Sequence, residues 1–340
     1  DKESCMYEKD VVNVARENGW FKGKDKDFDF QKAYNPYDFS GLRACEARVW
    51  SFFRTFDKNM DKYKKHIMGD ASEEPMPLYI IPDRKVSLAD VREGMRNHYE
   101  GTELSMTNDP GAGAYKVPYR WRPMTFKSEG REYFNERAIA TQQTGFVLIA
   151  QMRSWLPDAI GGILWFGVDD ANTAVLTPMY TSITEIPECY RRGNGSMTEF
   201  SWTSAFWIHN WVANMAYNRY EPMIRDIRPV QKELEDSYVD LVKNTDAKAL
   251  ELLKSSPAQA TAYLTEVCGK VANEATARWK KLGEYLLVKY MDGNVKKEKD
   301  GKFEENGYGQ IVSPNFPGYS QEYYDQVAKS GEAKHLEVPK

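Results

Sequence analysis

Three short apolar runs follow one another in the middle of the chain, at residues 145–150, 163–168 and 173–176. Each has the length of a strand and is apolar at nearly every position, which is typical of strands buried on both faces. Proline and paired glycines separate the first two runs, and the polar residues 169–172 predict a hairpin between the last two. The pattern predicts a three-stranded meander at the centre of a layered domain.

Helical periodicity dominates the first hundred residues. Apolar spacing predicts helices over residues 7–18 and 41–56, with Ser40 as the N-cap of the second. Ser87, followed by an aspartate three residues later, predicts a capped helix over residues 88–97. Residues 78–81 are apolar and predict a brief strand.

Helical periodicity returns after the meander. A helical region begins near Trp202, and Pro222 and Pro229 are expected to break it into shorter helices. Pro257 is well placed as the first residue of a long amphipathic helix that ends near residue 290. Glycine, lysine, proline and glutamate dominate the last fifty residues, which predicts a tail or surface wrap.

These elements predict an α+β fold in three parts. Residues 1–202 carry the meander and its helical insertions, residues 203–291 form a helical extension, and residues 292–340 form the tail or surface wrap.

Composition excludes several classes of function. The chain has 340 residues and a net charge of −4 from mixed acids and bases, which argues against a nucleic-acid surface. No apolar stretch reaches membrane-spanning length, so we expect a soluble protein without a membrane span. The compartment stays open, and export to a bacterial periplasm is one alternative.

The four cysteines (Cys5, Cys45, Cys189, Cys268) are far apart and have no zinc-ligand spacing. We therefore predict no metal site and no cofactor. Reduced buried thiols are the simpler interpretation, and a disulfide is the alternative.

Arg137 is the candidate catalytic residue. It lies beside Glu136 ahead of the first central strand, and its forked, permanent charge suits a substrate carboxylate or a developing oxyanion. A simple ion pair with Glu136 or another acid is the structural alternative.

Candidate substrate-binding residues are Trp165 in the second strand, and Asn210 and Asn214 on the helix that follows. The two asparagines belong to a polar stripe at helical spacing, which could line a pocket or only bond neighbouring helices. His209, among tryptophans, is interpreted as a core histidine. His98 and Glu100 are expected to face solvent or cap a helix. These residues do not form a complete catalytic set.

Several segments together resemble the dipeptidase A family, cysteine peptidases of the N-terminal-nucleophile hydrolase superfamily. The matching segments are residues 43–51, 98–102, 136–153, 156–157, 161–162 and 165–167, and the match ends near Pro178 and Tyr180. The resemblance implies an αββα sandwich and hydrolysis of dipeptide amide bonds. It also implies a nucleophilic cysteine at the mature N-terminus, with its own α-amino group as proton acceptor.

The chain departs from the family pattern at its start. The family's catalytic cysteine and first strands would precede Asp1, and Cys5 does not match the nucleophile. The resemblance therefore implies the C-terminal portion of the enzyme, inactive alone, with the N-terminal portion as partner and a small peptide as substrate. Only Arg137 has a counterpart among the family's polar site groups.

Two alternatives to the dipeptidase hypothesis stay open. The first is a non-catalytic module derived from that fold, which would bind a peptide or sugar through its aromatic and asparagine-rich helix. The second is a self-contained thiol hydrolase that uses Cys45 or Cys189 with His209. A homo-oligomer is a further partner that the sequence does not exclude.

Overall fold

The computed structural model describes residues 6–331 and 333–338. Asp1 and Cys5, on which the expectations about the start of the chain depend, lie outside these residues. The chain divides into two compact units, residues 1–85 and 86–340. With 47% helix and 11% strand, it is α+β, as the sequence predicts.

The first unit is helical. Its α-helices are α1 (Val11–Glu17), α2 (Phe30–Tyr34), α3 (Phe39–Gly41), α4 (Ala47–Arg54) and α5 (Lys64–Ile67), with a π-helical turn at Leu42–Glu46 and 3₁₀ turns at Asp25–Asp27 and Lys58–Tyr63. Trp50 is buried at its centre, and the indole N–H donates a hydrogen bond to the Met60 carbonyl at 2.8 Å.

Two expectations about this unit are wrong. The cap of the second helix is Asp38 rather than Ser40, since the Asp38 carboxylate accepts a hydrogen bond from the Gly41 N–H at 2.6 Å. Residues 78–81 form no strand within the described part of the chain. Leu78, Tyr79 and Ile81 are exposed, Leu78 to 94%, and prolines on either side remove backbone donors that a ladder needs.

The second unit contains the meander and the long helices. Its helices are α6 (Leu88–Met95), α7 (Asp158–Gly161), α8 (Ala205–Asn218), α9 (Tyr220–Ser255), α10 (Pro257–Lys289) and α11 (Gln321–Lys329). Short 3₁₀ turns lie at Pro110–Ala112, Glu188–Tyr190, Met291–Gly293 and Ala333–Leu336. The predicted capping box of α6 is confirmed: Ser87 and Asp90 each bond the other's backbone N–H.

Strands of the second unit form three antiparallel groups. Hairpin β1 (Thr125–Ser128) and β2 (Arg131–Phe134) comes first, then the three-stranded sheet of β3 (Phe146–Met152), β4 (Gly162–Val168) and β5 (Thr177–Tyr180), then hairpin β6 (Glu298–Lys299) and β7 (Lys302–Phe303). In the central sheet Phe146 lies opposite Val168, and Ile163 lies opposite Tyr180. The predicted meander is therefore confirmed, with β4 in the middle.

The third strand begins four residues later than predicted. Residues 173–176 are buried, but the N–H groups of Thr173 and Leu176 bond side chains, and that of Ala174 bonds the Asp170 carbonyl within the turn. The Thr173 N–H donates to Asp170 Oδ2 at 3.0 Å, and the Leu176 N–H donates to Glu235 Oε1 at 2.9 Å. Because a buried N–H needs one good acceptor, these carboxylates displace the ladder up to Thr177.

The two faces of the central sheet differ in burial, which corrects the expectation that both are covered. Val147 and Trp165 are almost fully buried against the helices. On the opposite face Phe146 is 62% and Leu148 41% exposed. Side chains alternate along a strand, so one face of β3 packs in the core and the other presents apolar groups to solvent within the described residues.

Neither proline breaks the long helix α9. Pro222 lies in its first turn, where an N–H has no intrahelical acceptor, so the ring costs little there. Pro229 lies inside the helix, where it removes one hydrogen bond. The flanking Ile227 and Gln231 are buried, and this packing holds the helix together. The predicted helix from Pro257 is confirmed, and Ser256 caps it.

None of the helices in the described part of the chain combines the length and apolar character needed to cross a membrane.

Two glycines on α10 differ in the space around them, so substitutions at these positions test the packing of the helical layer. A Cβ at Gly283 would lie 2.8 Å from Trp211 Cε3, whereas a Cβ at Gly269 would meet nothing within 4 Å. We expect Gly283→Ala to lower the free energy of unfolding by about 1–3 kcal/mol through overpacking. Gly269→Ala should raise it by about 0.5–1 kcal/mol, because alanine favours the helix. Urea unfolding of both variants measures the difference, and equal effects would contradict the packing described here.

Candidate functional site

The residues that follow β4 form a buried polar turn. Asp169, Asp170, Asn172 and Thr173 are each at most 1% exposed. Asp169 has a positive φ of 68°, which non-glycine residues seldom adopt, and its N–H donates to the Gly145 carbonyl at 2.9 Å, which continues the β3–β4 pairing by one residue. Strained and buried polar residues at the end of a strand are typical of functional sites.

The Asp169 carboxyl has one partner on α8. Its Oδ1 accepts a hydrogen bond from Asn210 Nδ2 at 2.8 Å, and Oδ2 has no hydrogen-bond partner among the described residues. Burial disfavours the ionised form and raises the Asp169 pKa to about 7, with the negative charge of Asp170 as a smaller cause in the same direction. This carboxyl therefore changes charge near neutral pH.

Asp170 anchors a second set of bonds that reaches His98. Its Oδ1 accepts from the Tyr217 hydroxyl at 3.0 Å, and its Oδ2 accepts from the Thr173 hydroxyl at 2.9 Å. The Tyr217 oxygen lies 3.0 Å from His98 Nε2. Since the tyrosine proton goes to Asp170, its oxygen accepts from the histidine Nε2–H. Burial raises the Tyr217 pKa well above its ordinary value, and the Asp170 charge adds to this.

Asn172 connects this network to neighbouring elements. Its side-chain amide donates to the Arg96 carbonyl at 2.8 Å and lies 3.3 Å from His98 Nδ1. Its Oδ1 accepts from the Tyr220 hydroxyl at 3.1 Å. The turn is thus held by α8, α9 and the residue that follows α6, and its chemistry is that of a rigid hydrogen-bonded support.

A cavity of about 330 Å³ opens beside the turn on the exposed face of the sheet. Its walls are mainly apolar and aromatic, with two arginines: Phe166, Val168, Cys189, Tyr190, Arg191, Arg192, Gly193, Asn194, Gly195, Ser196, Met197, Ser204, Phe206 and Trp207. The volume and the few polar groups suit a small organic ligand.

The loop that forms the far wall of this cavity is held by Asn194. Its amide donates to the Glu188 carbonyl at 3.1 Å, and its Oδ1 accepts from the hydroxyls of Ser201 at 2.6 Å and Thr203 at 3.0 Å. The Trp207 indole N–H donates to the Ser196 carbonyl at 3.1 Å. The cavity wall is therefore built by specific bonds.

The cysteines in the described part of the chain form no disulfide: Cys45, Cys189 and Cys268 are free. Burial raises the pKa of the Cys189 thiol, and raises that of Cys268 to about 11. Cys45 is exposed, which corrects the expectation of a buried thiol at this position. His209 is buried and stacks on Trp279 at 5.3 Å between ring centroids, and burial lowers its pKa to about 4. Buried thiols of raised pKa are poor nucleophiles.

Comparison with known proteins identifies the family. The family model described as peptidase family C69 matches residues 1–233, more than half of the chain. The chain belongs to peptidase family C69. The resemblance predicted from the sequence segments is therefore confirmed.

Curated relatives carry dipeptidase names. A probable dipeptidase B of Lactococcus lactis subsp. lactis (strain IL1403) is 26% identical over 287 residues, 82% of this chain and 52% of the relative. A probable dipeptidase of Salmonella dublin is 26% identical over 180 residues (53% and 36%). A probable dipeptidase of Latilactobacillus sakei is 25% identical over 279 residues (81% and 52%). The chain thus spans about half the length of these relatives, or less.

Of the residues predicted for the site of this C69 member, the structure brings Asn210 and Asn214 together and gives Trp165 and Arg137 different surroundings. Asn210 contacts Asp169, and the exposed Asn214 donates to Asn210 Oδ1 at 2.9 Å. Trp165 is 2% exposed, with its indole N–H bonded to Gln151 Oε1 at 2.9 Å, on the covered face of the sheet. Arg137 is exposed, and its carbonyl accepts from the Tyr99 hydroxyl at 2.9 Å. Their roles in substrate binding or catalysis stay predictions.

Sequence reasoning missed the most buried residues. His98 is 1% exposed instead of facing solvent, while the exposed Glu100 accepts from the His98 N–H at 2.7 Å, which agrees with a capping role. Asp169 and Asp170 were interpreted only as turn residues. Two consecutive aspartates at the end of an apolar strand were the available signal. No cluster of possible metal ligands occurs in the described residues.

The raised pKa of Asp169 predicts a pH dependence of stability. The folded protein binds this proton more tightly than the unfolded chain, so stability falls as pH rises from about 4 to about 7. Asparagine accepts positive φ and the same bond from Asn210, but carries no charge. Asp169→Asn should therefore stabilise the protein at pH 8, on the order of 1–4 kcal/mol, and have a much smaller effect at pH 4.

Urea unfolding of Asp169→Asn and the unsubstituted chain at both pH values measures this. Asp240→Asn, at an exposed position of α9, is the matched control, and its effect on the free energy of unfolding should be within about 0.5 kcal/mol. An equal effect of Asp169→Asn at pH 4 and pH 8 would exclude titration of Asp169 as the cause.

Proposed function

We propose that this chain is the C-terminal portion of a cysteine-type dipeptidase, whose nucleophile is supplied by polypeptide outside it. The supporting observation is the C69 family match over residues 1–233, together with dipeptidase relatives about twice as long as the matched part. In this proposal the N-terminal portion is the partner and small unblocked peptides are the substrates.

The chemistry follows the N-terminal-nucleophile scheme. The cysteine thiol of the N-terminal portion transfers its proton to its own α-amino group and attacks the amide carbon of the dipeptide. The amine product leaves with that proton, and water then hydrolyses the thioester to release the second amino acid. The cysteines of the described chain do not suit this role, because Cys189 and Cys268 are buried with raised thiol pKa values, and Cys45 lies inside the chain and has no free α-amino group of its own.

The exposed apolar face of the central sheet supports the proposal that a further layer packs against it. Phe146, Leu148 and Met152 are 62%, 41% and 64% exposed along β3, and Phe166 of β4 is only partly buried on the same side. A contiguous apolar sheet face of this kind is normally covered in a monomer. We infer that strands of the N-terminal portion cover it, which would place the cavity beside Trp207 near the incoming nucleophile.

The cavity also supports the alternative of a non-catalytic binding module. Its aromatic walls could retain a peptide or sugar without any nucleophile. The two proposals differ in whether catalytic activity appears when the N-terminal portion is present.

Activity assays distinguish them. We expect the purified 340-residue chain to release no free amino acids from unblocked dipeptides, as followed by mass spectrometry. Co-expression with the polypeptide encoded upstream should restore hydrolysis, and iodoacetamide should abolish it. Cys45→Ser in the restored enzyme should remain active. Hydrolysis by the 340-residue chain alone would refute the external nucleophile, and an upstream sequence without a cysteine would favour the binding module.

Association of the two portions tests the open sheet face separately. Leu148→Asp places a charge on that face at an already exposed position, so the chain should still fold but bind the N-terminal portion at least about tenfold more weakly. Leu287→Asp, 54% exposed on α10, is the control and should bind normally. Pull-down with quantified Kd measures both, and equal affinities would place the interface elsewhere.

A further inference from the structure

A second cavity, of about 360 Å³, lies between α6 and α9. Seven of its lining residues are charged in ordinary protonation states. They are the cations Arg92, Arg96, Arg228 and Lys232 and the acids Glu93, Glu235 and Asp236. The remaining described lining residues are Ala89 and Gln231. The lining therefore carries an excess of one positive charge.

The acids of this cavity already have cationic partners. Glu235 Oε1 accepts from Arg96 Nη2 at 2.6 Å, and Glu93 Oε1 accepts from Arg96 Nη1 at 2.9 Å. Asp236 forms an ion pair with Lys232. The guanidinium groups of Arg92 and Arg228 form no hydrogen bond to any of these acids in the described structure.

Arg92 is the most deeply buried of the cations. It is 4% exposed, and the nearest carboxylate oxygen in its ion pair, Glu235 Oε2, lies 3.9 Å from Nε, which is too far for a hydrogen bond. Neither Nε nor Nη2 has a hydrogen-bond partner among the described residues. The guanidinium lies over the Trp165 ring at 4.6 Å, a contact that holds its charge in place without neutralising it.

Arg228 also bonds only neutral groups in the described structure. Its Nη1 donates to the Asn172 carbonyl and to Gln231 Oε1, both at 2.7 Å. Those bonds fix the guanidinium at the cavity wall while its positive charge stays available. Lys232 is exposed at the rim, where its ion pair with Asp236 is open to solvent.

We propose that this cavity is a binding site for a small oxyanion, a phosphate or a carboxylate, held by the charges of Arg92 and Arg228 with Lys232 at the entrance. A guanidinium is a strong partner for either group because it offers several N–H donors in a fixed plane. Partial burial strengthens the attraction by excluding water. The site lies on the helical side of β4, away from the cavity beside Trp207, and it does not depend on peptidase activity.

Binding to the 340-residue chain tests the site with simple probes. Isothermal titration with inorganic phosphate, sulfate and acetate, at constant ionic strength set with chloride, should give saturable binding for at least one oxyanion. Tighter binding of phosphate than acetate assigns a phosphoryl group as the natural occupant, and the reverse order assigns a carboxylate. An absence of saturable binding for all three would overturn the proposal.

Matched variants locate the bound anion. Arg228→Gln should weaken binding by about tenfold or more, because it removes one charge from the wall. Arg225→Gln on the same helix is the control, since Arg225 pairs with Glu221 at 2.8 Å and does not line the cavity. Lys232→Gln, at an exposed position, gives a second test that leaves the buried bonds intact and should weaken binding several-fold. Equal affinities in Arg228→Gln, Lys232→Gln and Arg225→Gln would overturn the assignment.

Discussion

Burial of the polar turn after β4 is the constraint on which the rest of the second unit depends. Its backbone donors cannot be left without acceptors, and carboxylates from two directions meet them. Asp170 accepts from Thr173 within the turn, and Glu235 reaches from α9 to the Leu176 N–H. These bonds delay the start of β5 and fix α9 against the sheet. They also explain how a helix with an internal proline stays continuous, since α9 is held by its buried face.

The helices cover one face of the sheet and leave the other face exposed, and the proposed function uses the exposed face. Trp165 and Val147 pack in the core, while Leu148 on β3 faces solvent in the described chain. The cavity beside Trp207 opens on that second face. A layer added there would close the cavity and exclude water from it, whereas the helical side has no comparable open apolar surface along β4. The proposed dipeptidase therefore has its chemistry on one side of the sheet and its rigid support on the other.

The periodicity of apolar residues along the chain was sufficient to predict the large elements. The meander, the capped helix α6 and the long helix from Pro257 follow from apolar spacing and capping residues, and the structure confirms them. The segments that resemble the dipeptidase family were sufficient to predict the family. Hairpin β1–β2 was missed because its two four-residue strands are largely exposed and show no apolar alternation, although Gly130 between them is a turn residue.

The candidate site could be predicted only in part, because its bonds join residues far apart in the chain. Asn210 was selected for its stripe on α8, but its partner Asp169 lies 41 residues earlier and has no periodicity that would identify it. His98 was expected to face solvent or cap a helix, and its buried partner Tyr217 lies 119 residues later in the chain. Whether a polar residue is buried depends on such distant partners, so local patterns in a single sequence cannot predict its burial.

Glu235 links the turn to the cationic cavity, because it accepts hydrogen bonds from both. One of its oxygens serves both Leu176 and Arg96, so the carboxylate is held where the turn requires it. It therefore stays at 3.9 Å from Arg92 Nε and cannot neutralise both arginines at hydrogen-bond distance. A second buried acid beside Arg92 would remove the excess charge, but it would also need donors of its own in a nearly dry site. Stacking of Arg92 on Trp165 leaves the turn intact. The excess positive charge of the lining then faces the cavity in which we propose that an oxyanion binds.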